Sequence, residues 1–534
     1  MFGLKYLDEK AYNPLEMFKK RHPQPGRLTI ILIVLITILA LAGCHFPQPI
    51  PEDQADSAQR QTEIAGILNP DIPHTPTPQP LPTEGVSGVT PPPNPVQQGD
   101  GYLFYTVQQG ETLPALALRF GVEKHEIQTH LPHFLTGLLP IGIQIQIPDQ
   151  LENTLPYPDP ILPDSEVIYG PSAVNFNAVD FINTAGGFLA GYEELVRNEI
   201  MTGPEIVQRV TIETSTNPRL LLAFLEYRSG WVLGHPPNAE NNRHPIGYYA
   251  TGSTGLYNEL MITTRLLAQG FYGWRDGSRL TISFKDSSQG RFPPGLNAGS
   301  TALMGLFAAL HNRQAWEAQL YGQNAFPEFY ANMFGDYWSR AATVEPYLLA
   351  TDRQPELALP FSPGEAWSLT AGPHNTWQTG TPRGAIDFAP ITGEPPCAIS
   401  YRWVTASASG LVVRSERGVV VLDLDGDGNE GTGWVLVYLH IAEKDRVPVG
   451  SWVAQDTPIG HPSCEGGQST GTHVHLARKF NGEWLGAEEP FPMMLSGWRA
   501  YAGRGRYDGY LQYGDAIVTS RPDGSAGSTI MRED

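Results

Sequence analysis

The sequence predicts a multidomain chain: a small α+β module, then a mostly helical middle region, then an all-β C-terminal region. Three observations carry this. Shortly after residue 100, an alternating segment, a Gly-Glu-Thr turn, an apolar helical run and a second alternating segment (QIQIP) follow in close order. Between 165 and 350, apolar residues recur at helical spacing behind helix-start signals. Beyond about residue 400 the pattern changes to short runs such as VVVLD and WVLVYL, separated by Gly and Asp turns.

Composition bounds the rest. A length of 534 residues leaves room for three or so domains, and 41% hydrophobic content supplies real cores. A formal net charge of -20 argues against nucleic acid as a partner and against general attraction to an anionic surface. Binding to such a surface must therefore come from specific modules.

Residues 1–27 are polar and carry Lys19, Lys20, Arg21 and Arg27 directly before an apolar run over 28–42. That run is short for a membrane span, which needs about 20 residues, and suits the apolar part of an export signal. It ends Leu41-Ala42-Gly43-Cys44, which resembles the lipobox of bacterial lipoproteins. The resemblance implies a lipoprotein signal peptide over 1–44, with Cys44 lipidated and holding the chain at the outer face of the cell membrane. An uncleaved anchor is the alternative, Met17 is an alternative start, and both anchoring readings export the rest of the chain. From 45 to 101 there is no hydrophobic period, and segments such as HTPTPQPLPTEG read as a proline-rich, extended tether.

Within 102–150, Tyr105-Thr106-Val107 reads as a strand, Gly110-Glu111-Thr112 as a turn, 113–120 as a helix ended by Gly121, and 141–147 as a closing strand in a βααβ plan. Its Y-T-V-x-x-G-E-T-L start and L-x-x-G-x-x-x-x-I-P ending resemble LysM, a small module that binds glycans containing N-acetylglucosamine. Such a glycan is the partner the resemblance implies. Pro114 and the second helix depart from the usual pattern.

A proline-rich joint at 156–163 leads into a helical region over 165–350. Thr202-Gly203-Pro204-Glu205 reads as a capping box with proline in the first turn, Asn217-Pro218 as a second helix start, and 256–268 and 301–310 as amphipathic helices. The helix from Pro218 ends LLLAFLEYRSGW, which resembles the catalytic helix of lysozyme-like lytic transglycosylases and would make Glu226 a general acid. The tight Glu-Ser pair is missing, and a structural helix with a solvated Glu226 fits the residues better.

The region 351–534 alternates strands (410–414, 419–424, 434–439) with turns and reaches CEGGQSTGTHVHLARKF at 464–480. On a strand, His473 and His475 point the same way, with Val474 behind them. Upstream, AGPHNTWQTGTPRGAIDFAP holds His374 and Asp387, thirteen positions apart across a Gly/Pro-rich loop that can fold back. Zinc in a hydrolytic site takes three ligands from His and carboxylate and keeps one position open. His374, Asp387 and one histidine of the pair supply that set.

These two segments resemble the lysostaphin-type (LytM, beta-lytic) zinc metallopeptidases, which cut peptide bonds in peptidoglycan. Most of that family writes its first motif H-x-x-x-D, whereas here Arg383 stands four before Asp387. The staphylolytic, beta-lytic branch instead sets its first histidine far ahead, as NTWQTGTPRGAID does here, and writes CEGGxSTGxHxH second, which 464–475 matches. The resemblance covers about 371–507. It implies zinc held by His374, Asp387 and His475, the choice of His475 over His473 coming from the resemblance alone. It further implies His440 and His473 as acid–base groups and Tyr507 as a donor to the developing oxyanion.

Two features stay open beside this. Asp423, Asp425 and Asp427 with Gly428 look like the start of a calcium loop, but Trp434 stands where a bidentate Glu is needed, and an acidic hairpin turn also fits. With Cys44 lipidated, Cys397 and Cys464 are left, and an exported protein is expected to pair them. The expected function is a peptidoglycan-directed zinc endopeptidase. The alternatives are a non-catalytic wall-binding or amidase-activating protein and a glycan-cleaving enzyme centred on Glu226.

Overall fold

Runs such as VVVLD and WVLVYL lack polar alternation because the sheet they form is buried on both faces. The computed structural model describes residues 91–132, 136–250 and 252–533. The expected export signal with Cys44, and the tether up to residue 90, lie outside these. Among the described residues, nine strands form one antiparallel sheet. Its order is Trp452–Val453, Gly410–Glu416, Val419–Asp423, Trp434–Leu439, Val474–Phe480, Arg383–Pro390, Ala366–Asn375 and Thr529–Met531, with Glu483–Trp484 paired to Val474–Phe480.

One face of this sheet, with Leu369, Phe388, Val420, Leu436, Val474 and Leu476, packs on a four-stranded sheet through Leu495, Ala500 and Leu511. The opposite face, with Ala385, Val421, Val437 and Ala477, shares its core with Leu221, Phe224, Phe271 and Leu303 of the helical region. Helices and large sheet are therefore packed together. No described helix is long and apolar enough to cross a membrane.

The helix starts are explained by their caps. Thr202 and Glu205 form a reciprocal capping box opening Gly203–Thr214, and Asn217 accepts from the Arg219 N–H to open Pro218–Ser229. The helix Leu256–Arg275 runs past the predicted end at 268. Gly270 interrupts the apolar pattern in the sequence, but here it lets the helix touch Ala298–Leu310, since a Cβ on it would lie 2.6 Å from the Ala302 Cα.

The strands Val96–Gln98, Tyr102–Thr106 and Gln144–Pro148 form a sheet carrying the helix Leu113–Phe120, which Thr112 caps and Gly121 ends at φ 69°. Two expectations need correction. The first strand arises inside the stretch read as tether, and the second helix is a single turn, Lys124–Glu126, because Pro132 and Gly137 break the segment after it. The unit is docked rather than strung out. Arg119 is buried, pairs with Glu111 at 2.7 Å, donates to the Trp274 carbonyl and lies 4.6 Å from the Trp274 ring. Arg275 donates to the Gln109 carbonyl at 2.6 Å.

In the loop between Val419–Asp423 and Trp434–Leu439, Glu430 is buried between Arg414 (2.9 Å) and Lys479 (2.8 Å). Burial pushes its carboxyl up, but Arg414 and Lys479 more than reverse this and hold it below the usual range. Burial outweighs Glu430 at Lys479, whose own pKa is lowered, so Arg414 is the firmer cation of the two. Glu430→Ala leaves both cations buried and unpaired and is expected to cost about 3–5 kcal/mol, measured as a shift in denaturant midpoint. Because the folded pKa lies below the unfolded one, the wild-type stabilisation is present above the ordinary value near 4.5 and is lost as pH falls through the folded value.

Candidate metal centre and active site

Strand register assembles the centre. Asp387 pairs with His475 on one side and Ala371 on the other, so the three share a face. Between Ala371 and His374 the strand carries a one-residue bulge, compensated at Asn375, so that His374 rather than Pro373 stands opposite Ala385. Ala385 is two residues from Asp387, which brings His374 onto the same face. Had the register at Ala371 continued without that shift, His374 would have pointed to the other face.

His374 Nε2 lies 3.1 Å from His475 Nδ1, and Asp387 Oδ1 lies 3.4 and 3.2 Å from those two nitrogens. Ligand atoms on a tetrahedral zinc stand about 3.3–3.4 Å apart, given bonds of roughly 2.0–2.1 Å. The protons are fixed elsewhere. His374 Nδ1 is 3.0 Å from the Gly372 carbonyl and His475 Nε2 is 3.0 Å from the Thr376 carbonyl; carbonyls only accept, so these nitrogens donate. The facing nitrogens then present lone pairs, and Asp387 Oδ1 is buried without a hydrogen bond. Three acceptors converge with no donor among them, which suits a cation.

Electrostatics favour the same charge states. Burial lowers the His374 pKa, with Asp387 opposing, so the neutral imidazole prevails. Burial alone would raise Asp387, but His374, His475 and His473 together hold it well below the usual carboxylate range.

The other predicted residues surround this trio. His440 follows the strand Trp434–Leu439 at φ 68°, and its Nδ1 donates to the Glu465 carbonyl at 2.8 Å. Burial, then His473 and His475, push its pKa down to about 3. His473 lies with its ring centroid 4.4 Å from that of His440, its Nδ1 2.8 Å from the Gly471 carbonyl and its Nε2 3.6 Å from Asp387 Oδ2. Tyr507 is 44% exposed with its ring 5.2 Å from that of His374, and its carbonyl accepts from the Gly372 N–H. Cys397 and Cys464 are disulfide-bonded with Cα atoms 5.1 Å apart, which fixes the start of the loop whose Glu465 carbonyl orients His440.

Sequence reasoning did not find the carbonyls of Gly372, Thr376 and Glu465, since backbone atoms leave no mark in residue type. It set Arg383 aside as a non-ligand; its guanidinium bonds to four backbone carbonyls beside the centre. Glu226 lies outside the site. Its Oε2 accepts from the N–H groups of Val232 and Leu233, closing the turn after its helix. Asp423 likewise accepts from Asp425, Gly426 and Gly428 N–H groups, as in an acidic turn, and burial raises its pKa to about 7 with Asp425 adding to the rise.

By sequence the chain is a homologue of metalloendopeptidases. Residues 160–347 match the family model described as LasA, N-terminal domain. Protease LasA of Pseudomonas aeruginosa (strain UCBPP-PA14) is 26% identical over 393 residues, covering 69% of this chain and 83% of that protein. The beta-lytic metalloendopeptidase of Achromobacter lyticus is 29% identical over 159 residues, 28% of this chain and 40% of that protein. A solved structure described as the M23 metalloprotease pseudoalterin is 24% identical, covering 32% of this chain and 96% of its own, with a TM-score of 0.26.

Proposed function

We propose that the chain is a zinc endopeptidase that hydrolyses peptide bonds in the stems or cross-bridges of peptidoglycan. The convergence of the bare acceptor atoms of His374, Asp387 and His475 at tetrahedral spacing carries this reading. His374, Asp387 and His475 would hold a zinc ion, which would supply Lewis acidity to polarise the scissile carbonyl and acidify water. His440 and His473 do the proton transfers. Both rings have one nitrogen tied to a backbone carbonyl and the other available, so one accepts the proton of the attacking water while the other, carrying a proton on its available nitrogen, delivers it to the leaving amine, and the proton taken up by the first restores the second. Tyr507, exposed beside His374, donates its phenol hydrogen to the carbonyl oxygen as negative charge grows on it.

Delivery to the wall is part of the proposal. Residues 102–150 would bind N-acetylglucosamine-containing glycan, and lipidated Cys44 would hold the chain at the outer face of the membrane; the motifs at both places support this. The burial of Arg119 and Glu111 against Trp274 means that deleting the module would also open the helical core, so glycan binding belongs to tests on the intact chain.

Mass spectrometry of peptidoglycan digested by the full chain tests the bond class. New amino groups without new reducing ends are expected, unchanged in a Glu226→Gln variant. Reducing ends that vanish in that variant would replace the reading with a glycan-cleaving enzyme.

A further inference from the structure

Arg383 occupies the position four before Asp387, has no lone pair to offer a metal, and lies against the centre all the same. Its Nε donates to the Pro373 carbonyl at 3.0 Å, its Nη1 to the Gly503 carbonyl at 2.8 Å, and its Nη2 to the carbonyls of Gly505 at 2.6 Å and Asp508 at 3.3 Å. The first acceptor immediately precedes His374. The other three bracket Tyr507. A planar guanidinium can serve several fixed acceptors at once, which a lysine ammonium on its flexible stem cannot match in geometry.

The turn so gripped is also tied to itself. Gly503 N–H donates to the Asp508 carbonyl at 2.8 Å and Gly505 N–H to Asp508 Oδ2 at 2.9 Å. A Cβ on Gly503 would meet the Asp508 Cβ at 2.6 Å, and one on Gly505 would meet Asp508 Oδ2 at 2.4 Å, so the turn is closely packed and would move as a unit. On the far side, Gly372 N–H donates to the Tyr507 carbonyl at 2.8 Å. The Tyr507 ring itself is 44% exposed, so the backbone contributes heavily to its placement.

We propose that Arg383 is a positioning residue: it fixes the 503–508 turn to the His374 strand so that the Tyr507 phenol faces the reacting carbonyl. It acts through Tyr507 and does not touch substrate. The inference rests on the reading of Tyr507 as a donor to the oxyanion. A displacement of roughly 1 Å in a catalytic group can cost about 10²-fold in rate, which sets the scale of the effect.

A double-mutant cycle in the full chain tests it, with kcat and KM on a soluble peptide, bound zinc and thermal midpoint read for each variant. Tyr507→Phe is expected to lower kcat by about 10²–10³-fold, as for loss of one oxyanion donor. Arg383→Gln is expected to lower kcat by about 10–10²-fold with zinc retained and KM within about twofold, and Arg383→Lys to fall between it and wild type. In the Tyr507→Phe background, Arg383→Gln should then cost less than about another twofold, because the group it positions is gone. The full Arg383→Gln loss persisting in that background overturns the proposal, as does loss of zinc in Arg383→Gln. If Arg383→Gln does not fold, Arg383→Lys runs the same cycle. A silent Tyr507→Phe also overturns the proposal but leaves the peptidase reading intact wherever wild type still releases amino groups; an inactive wild type overturns both.

Discussion

His475→Ala is expected to lose bound zinc and hydrolysis together, with activity falling to background. His475 Nδ1 is one corner of the trio, 3.1 Å from His374 Nε2 and 3.2 Å from Asp387 Oδ1, and its other nitrogen is fixed on the Thr376 carbonyl. Removing it leaves two protein ligands where a hydrolytic zinc site takes three. His374→Ala and Asp387→Ala should behave alike, since each contributes one of the converging acceptors. Metal analysis beside a kinetic assay checks all three. Full zinc in His374→Ala would show that the long-spaced first motif does not supply a ligand.

His440→Ala and His473→Ala should separate metal from turnover. Each is expected to keep near-stoichiometric zinc and to lose about 10²–10⁴-fold in kcat, the usual worth of a general acid or base. The geometry distinguishes His473 from His475. His473 Nε2 approaches Asp387 Oδ2 at 3.6 Å and is not part of the His374, Asp387 and His475 group, whereas His475 meets the orphaned Oδ1. If His473→Ala loses zinc while His475→Ala retains it, the two roles are exchanged. His440 has its pKa pushed to about 3, first by burial and then by His473 and His475, so it rests neutral.

How much of this could be read from residues alone differs from place to place. The H-x-H alternation puts His473 and His475 on one face because strand periodicity is local; in the structure His475 pairs with Asp387, while His473 stands just before the strand on an isolated bridge to Ser463. That His374 stands opposite Ala385 rests on register shifts in the Ala366–Asn375 strand, and nothing in AGPHN marks them before the partner strand is known. Helix starts at Thr202 and Asn217 were legible because a cap is written in the residues beside it. The end of Leu256–Arg275 was not, because Gly270 weakens the apolar pattern and is explained only by contact with Ala302. The docking of Arg119 onto Trp274 and the sharing of one core between helices and sheet are tertiary facts with no local signature. The same holds for Arg383. Its residue type excluded it as a ligand, but only the fold reveals the four carbonyls around it.

The most direct measurement is release of new amino groups from purified peptidoglycan by the full chain, before chelation, after chelation and after stoichiometric zinc is restored. Activity is expected to disappear with the metal, to return with about one zinc per chain as a three-ligand site requires, and not to be restored by zinc in His475→Ala. Amino-group release undiminished after complete removal of metal would contradict this expectation.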